Sequence, residues 1–344
     1  MKRLLPIACI CITLSQVACK GNQNETEGTS TPASKYRTTG SFEITDPAFL
    51  NLVDTSTGIQ ILAEGFDWSE GPLWVANGNY VLFTDIPPNK VMKWSEEKGL
   101  EEYLSPAGYT STVPRTGESG ANGLILDANG KLVLCQHGDR RLARMEAPLD
   151  SPKAVFTTLA DNFEGKRLNS PNDAVFHSNG DLFFTDPPYG LVNNINDSSK
   201  EISFQGVYHV GKDGKTRLVT KNMTRPNGIA FSPDYKKLYV ANSGDTIKIW
   251  NVFDVAEDGS TSNERLFYDA SNSTEPGAPD GLKVDKNGNI YATGPGGVWV
   301  MTADAKVLGK IKVGQLCSNV ALNDDQTELY ITADPWLVRV KLKK

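Results

Sequence analysis

Glu70-Gly71-Pro72-Leu73-Trp74 is the first of six related phrases in this chain. The others are Asn122-Gly123-Leu124-Ile125-Leu126, Asn172-Asp173-Ala174-Val175-Phe176, Asn227-Gly228-Ile229-Ala230-Phe231, Asp280-Gly281-Leu282-Lys283-Val284 and Asn319-Val320-Ala321-Leu322. Each opens on an oxygen-bearing polar residue, passes through a small or apolar one and enters a strand-like run. The phrase recurs about every fifty residues, with a shorter last interval, and that period suits a four-stranded sheet repeated in a radial array. The expectation is an all-β fold, a six-bladed β-propeller with a central metal-binding channel. A pair of β-sandwiches with accidental similarity is the alternative. The short last interval predicts that the closing blade takes a strand from the N-terminal region, within Phe42 to Leu62.

Between the phrases the chain reads as short β-branched and aromatic runs broken by Gly, Asn, Asp and Pro, without long amphipathic helices. Asn129-Gly130 and Asn287-Gly288 mark hairpin turns, because both residue types tolerate positive φ. Similar hairpins are read around His177-Ser178-Asn179-Gly180, Ser232-Pro233-Asp234 and Asn323-Asp324-Asp325.

If every phrase starts beside a common axis, Glu70, Asn122, Asn172, Asn227, Asp280 and Asn319 line a channel. Two carboxylates, Glu70 and Asp280, and two amide oxygens, from Asn172 and Asn227, make an all-oxygen donor set that suits a hard divalent cation. Calcium matches best, with Mg2+, Mn2+ or Zn2+ as substitutes. One Asn-Gly alone is an ordinary turn; the same chemical class at one repeat position is harder to explain by turn geometry.

The 344 residues carry a formal charge of −6, and the basic residues are scattered among acids. No Lys/Arg stripe tracks phosphates, so nucleic acid is excluded as a partner. Met1-Lys2-Arg3, the apolar stretch Leu4 to Val17 and Ala18-Cys19 form a basic, apolar and small-residue sequence that resembles a bacterial lipoprotein signal, with Gln16 where leucine is usual. Residues 1–19 are read as that signal, with lipid on Cys19. Residues 20–40 are polar and read as a flexible tether, and 41–344 as the propeller. The expected location is the bacterial cell envelope, exported and lipid-anchored to a membrane, in the periplasm or outer membrane. Of the five cysteines, Cys135 and Cys317 remain in the body and are read as isolated buried thiols. No G-x-S-x-G elbow and no Cys/His pair supports a nucleophilic mechanism.

Glu70-Gly71-Pro72-Leu73-Trp74, Ser170-Pro171-Asn172-Asp173, Arg225-Pro226-Asn227-Gly228 and Pro279-Asp280-Gly281, with Thr185-Asp186-Pro187-Pro188-Tyr189-Gly190 between them, resemble the senescence marker protein/gluconolactonase family, which includes regucalcin and bacterial gluconolactonases. The resemblance covers about Leu62 to Arg339, and Cys135-Gln136-His137-Gly138-Asp139-Arg140-Arg141 is similar to the bacterial branch. Departures are Ala174 after Asp173 and Val320 after Asn319. The resemblance implies a divalent metal on Glu70, Asn172, Asn227 and Asp280, and hydrolysis of sugar lactones. In that reading the metal polarises the lactone carbonyl, Asp280 is the base for the attacking water, and Asn122, His137, Arg167 and Tyr189 are candidates for substrate contact. Hydrolysis of phosphotriesters or other esters, or ligand binding without catalysis, are the alternatives.

Overall fold

A computed structural model describes residues 35–344, which hold six antiparallel sheets of four or five strands and one short two-stranded hairpin, Asn162–Phe163 with Lys166–Arg167. The innermost strands are Ser69–Val75, Ala121–Leu126, Ala174–Phe176, Pro226–Phe231, Leu282–Val284 and Asn319–Leu322. Each begins at or within two residues of one of the six phrases. Each touches the next, and the sixth returns to the first, which closes a ring. The fold is a six-bladed β-propeller, with blades 1 to 6 in chain order from Ser69.

Ring closure uses the N-terminal segment twice. Ile59–Glu64 pairs antiparallel with Trp336–Lys341 and completes blade 6, as expected for a borrowed strand. Ser41–Ile44, at the start of the same segment, instead pairs with Val307–Lys312 and adds a fifth strand to blade 5. A one-turn helix, Phe49–Leu52, makes the crossing between them. Phe49 is fully buried with Tyr291, Val298 and Ile311 of blade 5 and Val320, Leu329 and Val338 of blade 6. Burying a phenylalanine contributes about 1.5 to 3 kcal/mol, so this residue holds the seam from the inside. Thr38–Thr39, within the stretch read as tether, pairs with Ile59–Gln60. The signal residues, Cys19 and residues 20–34 of the tether lie outside the described residues. Among the described residues no helix is long and apolar enough to cross a membrane.

The Asn-Gly hairpin turns form where expected, with positive φ at the glycine alone. In blade 2 the Gly130 N–H donates to Asp127 O, and Asp127 Oδ1 accepts from Asn129 N and Lys131 N at 2.9 Å each. Gly130 carries the positive φ, +72°, while Asn129 does not. Asp285 and Gly288 repeat the arrangement in blade 5. The organising residue is an aspartate two positions before the asparagine, which clamps the turn through an Asx bond.

Candidate active site

At the start of three inner strands the ladder to the second strand is interrupted, skipping from Glu70 to Leu73, from Ala121 to Leu124 and from Pro226 to Ile229. Such bulges release main-chain groups from the ladder and re-aim side chains. Two of the freed carbonyls accept from threonines of the preceding blade, and Ser318 O, before the sixth inner strand, accepts in the same way. Thr84 Oγ1 of blade 1 donates to Asn122 O at 3.1 Å, and Thr185 Oγ1 of blade 3 donates to Asn227 O at 2.6 Å. In blade 5, Thr293 Oγ1 donates to Ser318 O at 3.0 Å. All three threonines are fully buried.

A second set of bonds fixes the loops leading into the phrases. Asp85 Oδ1 accepts from Asp67 N and Trp68 N at 3.1 and 3.0 Å. The Asp186 carboxylate accepts from Asn169 N and Ser170 N, each at 2.8 Å, and Asn242 Oδ1 accepts from Arg225 N at 2.8 Å. In blades 1 and 4 the glycine after the leading residue is required by the crowding of the strands. A Cβ on Gly71 would lie 2.2 Å from Asn122 O, and one on Gly228 would lie 2.2 Å from Asp280 O.

These constraints bring Glu70, Asn122, Asn172, Asn227 and Asp280 around one cavity of about 300 Å³, lined also by Trp68, Glu118, Tyr189, Ser243, Leu316 and Cys317. Glu70, Asn122, Asn172 and Asn227 are buried, and Asp280 is partly open to the cavity. Asn122 Oδ1, Asn227 Oδ1 and Asp280 Oδ1 are enclosed without a hydrogen-bond partner. The Asn227 orientation follows from its neighbours: Ser243 Oγ donates to Pro279 O, so it can only accept from Asn227 Nδ2, at 3.0 Å. The amide oxygen is thereby left facing the cavity. Buried polar atoms are normally paired, and three orphaned oxygens of this kind, beside Glu70 and Asn172, are the donors a hard cation takes.

Electrostatics point the same way. Burial, above all, pushes the Glu70 carboxyl up to about 8, with the charges of Asp173 and Glu118 adding to it and the Gly71 N–H opposing. Burial also raises the Asp280 carboxyl well above its ordinary value, and the nearby Glu70 charge raises it further. Two acids enclosed together are stable as anions only beside a positive charge. Among the described residues no group of three or more His, Cys, Asp or Glu side chains could hold a metal ion, so the candidate ligands are two carboxylates supplemented by amides.

Asn319 does not line this cavity. Its Oδ1 accepts from Val320 N at 2.8 Å, and its Nδ2 lies 3.5 Å from Asp173 Oδ2, which is 3.9 Å from Lys283 Nζ. Tyr189, a candidate for substrate contact, lines the cavity. Its loop is held where Ser170 Oγ donates to Pro187 O at 2.6 Å and accepts from Gly190 N at 2.9 Å. Two expected substrate contacts are placed elsewhere. His137 is fully enclosed and does not line the cavity; its Nδ1 lies 3.6 Å from Glu118 Oε2. Arg167 is on the exposed hairpin outside blades 2 and 3, where its Nη2 donates to Asp139 O at 2.9 Å, in a separate groove with Thr110, Asp139 and Glu201. Conversely, Glu118, Trp68, Ser243 and Leu316 line the cavity without any signal in the repeat. Cys135 and Cys317 are both free thiols.

Residues 68–334 match the SMP-30/Gluconolactonase/LRE-like region. The chain is 35% identical to a gluconolactonase of Zymomonas mobilis, over 99% of this chain and 95% of that one. It is 24% identical to the diisopropyl-fluorophosphatase of Loligo vulgaris, over 67% of this chain and 72% of that one. Among solved structures, the gluconolactonase of Xanthomonas campestris superposes with a TM-score of 0.75 at 29% identity, covering 91% of this chain and 99% of that one. With the family match spanning most of the propeller and a full-length relative at this identity, the chain belongs to the SMP-30/gluconolactonase/LRE-like family.

Proposed function

We propose that the protein is a divalent-cation-dependent lactone hydrolase acting on sugar lactones at the axial cavity. The observation that carries the reading is the cluster of orphaned oxygens on Asn122, Asn227 and Asp280 beside the buried Glu70 carboxyl. The full-length likeness to a gluconolactonase supports the substrate class.

Glu70, Asn172, Asn227 and Asp280 would hold the cation, with calcium the best match to their oxygens. When bound, the ion supplies Lewis acidity toward the lactone carbonyl and neutralises the enclosed acids. Asp280 takes a proton from the attacking water as the new carbon–oxygen bond forms. It returns that proton to the ring oxygen as the ring carbon–oxygen bond breaks, so the product is an open hydroxy acid. Asn122 turns an unpaired oxygen toward the cavity and orients a hydroxyl or the water. Trp68, Tyr189 and Leu316 form walls that restrict water at the reacting carbon.

Phosphotriester hydrolysis in the same cavity is the second reading, favoured by the likeness to the Loligo vulgaris diisopropyl-fluorophosphatase. Export and lipid attachment at Cys19 are part of the proposal, resting on the signal-like sequence. The test is a panel of aldonolactones, simple lactones and a phosphotriester, offered to purified protein with and without chelator. Chelator-sensitive opening of aldonolactones is expected. Turnover of the phosphotriester alone transfers the assignment to the second reading, and turnover of nothing refutes both.

A further inference from the structure

The connection between blades 1 and 2 does more than join two strands. After Leu104 it runs through irregular backbone to Ala121 and is tied down along its length. Asn89 Oδ1 accepts from Ala107 N, Gly108 N and Tyr109 N at 3.0, 2.7 and 3.2 Å. Further on, Arg115 Nη1 donates to Gly138 O at 2.8 Å and Nη2 donates to Gly190 O, with the guanidinium 5.3 Å from the Tyr109 ring centroid. The far end is anchored where Gly120 N donates to Ile86 O at 3.0 Å. This strap therefore reaches from blade 1 across blade 2 to the Tyr189-Gly190 loop of blade 3, and it carries Glu118 into the lining of the axial cavity.

Behind Glu118 lies His137, fully enclosed, with neither ring nitrogen hydrogen-bonded and Nδ1 3.6 Å from Glu118 Oε2. The buried imidazole backs the inner side of the Glu118 carboxylate, whose outer side faces the cavity. The Glu118 side chain is 42% exposed, so it is free to meet a ligand. Around the same cavity, Trp68 and Leu316 offer exposed apolar surface, 37% and 39% open. A carboxylate only accepts hydrogen bonds, and its two oxygens suit two neighbouring hydroxyls. A ligand with a hydroxylated edge and a C–H face fits this division of the walls.

We propose that Glu118, presented by the Arg115 strap and backed by His137, is a specificity-determining residue that selects polyhydroxylated lactones by accepting hydrogen bonds from their ring hydroxyls. This rests on the lactone-hydrolase reading. A hydrogen bond to a charged group contributes roughly a 10- to 100-fold preference, and a lactone without hydroxyls gains nothing from it.

The test compares kcat/KM for glucono-1,5-lactone and δ-valerolactone, which share a six-membered ring and differ in hydroxyls, using wild type, Glu118→Ala and Glu118→Gln. The expected result for Glu118→Ala is a loss on gluconolactone that exceeds the loss on valerolactone by about 10- to 100-fold, mainly through KM. Glu118→Gln, which keeps one acceptor without the charge, falls between. The valerolactone rate also reports that each variant is folded. Equal losses on both lactones, or no loss on gluconolactone, overturn the role of Glu118 while leaving the hydrolase reading intact. A wild type that opens neither lactone refutes the hydrolase reading and this proposal with it.

Discussion

Thr185→Val tests whether the ring of threonine bonds positions the site or merely ties blades together. Thr185 is fully buried, and its Oγ1 donates to Asn227 O at 2.6 Å and lies 3.3 Å from Asp173 N. Valine keeps the shape and removes the hydroxyl. The blade 4 ladder skips from Pro226 to Ile229, so the Asn227 carbonyl depends on the donor from blade 3. Leaving that acceptor unsatisfied costs about 1 to 3 kcal/mol of stability. Because the same residue turns its side-chain oxygen to the cavity, the loss should propagate to the proposed cation ligands. Outer partners of metal ligands are worth about 10- to 100-fold in affinity. Urea unfolding of the chelator-treated protein and calorimetric titration with calcium measure the two effects separately. The expected outcome is a lower unfolding free energy together with calcium affinity weakened by at least about tenfold. A stability loss with unchanged affinity would refute the positioning role, and no change in either would show that the bond contributes nothing.

Burial raises the Asp186 carboxyl to about 7 from 3.8, against the opposing Asn169 and Ser170 N–H groups. Since the folded value exceeds the unfolded one, its contribution to stability is present at low pH and is lost as pH rises from about 4 to about 7. Relative to Asp186→Asn, the wild type should lose about 4 kcal/mol between pH 4 and 8, read from denaturant midpoints; a constant difference would contradict this. Asp280→Asn keeps an oxygen ligand and removes the base, so turnover should fall by about 10²- to 10⁴-fold while calorimetry still detects calcium. Cys19→Ser should abolish fatty-acid labelling of the expressed protein and release it from the membrane fraction, whereas labelling that persists would place the anchor elsewhere.

The legible part of the molecule was what repetition encodes. Six phrases located the inner strands, and the polar residues opening five of them line the axial cavity because symmetry copies their depth, Asn319 being the exception. The clasps behind them left a fainter trace, since Thr84-Asp85 and Thr185-Asp186 occupy equivalent places, yet a threonine in a strand reads as ordinary β-propensity. The Asn-Gly turns were located but their geometry was not, because the controlling aspartates Asp127 and Asp285 sit at the ends of the preceding runs. What was missed lies on segments without a period. His137 ends up sealed rather than substrate-facing because the strap beneath which it packs has no repeat to predict its course. Glu118 went unseen for the same reason. Arg167 stands on an excursion outside the blades, whose direction depends on bonds to Asp139 and Glu201 rather than on any pattern.

In the proposed mechanism one cation held by Glu70, Asn172, Asn227 and Asp280 enables lactone opening at the axis. This mechanism is tested most directly by titrating calcium into chelator-stripped protein while following glucono-1,5-lactone opening, at protein concentrations well above the dissociation constant. Negligible turnover is expected at the start, followed by a linear rise and a plateau at one equivalent of metal. Full turnover in the stripped protein, or a plateau reached only after several equivalents, would contradict the mechanism.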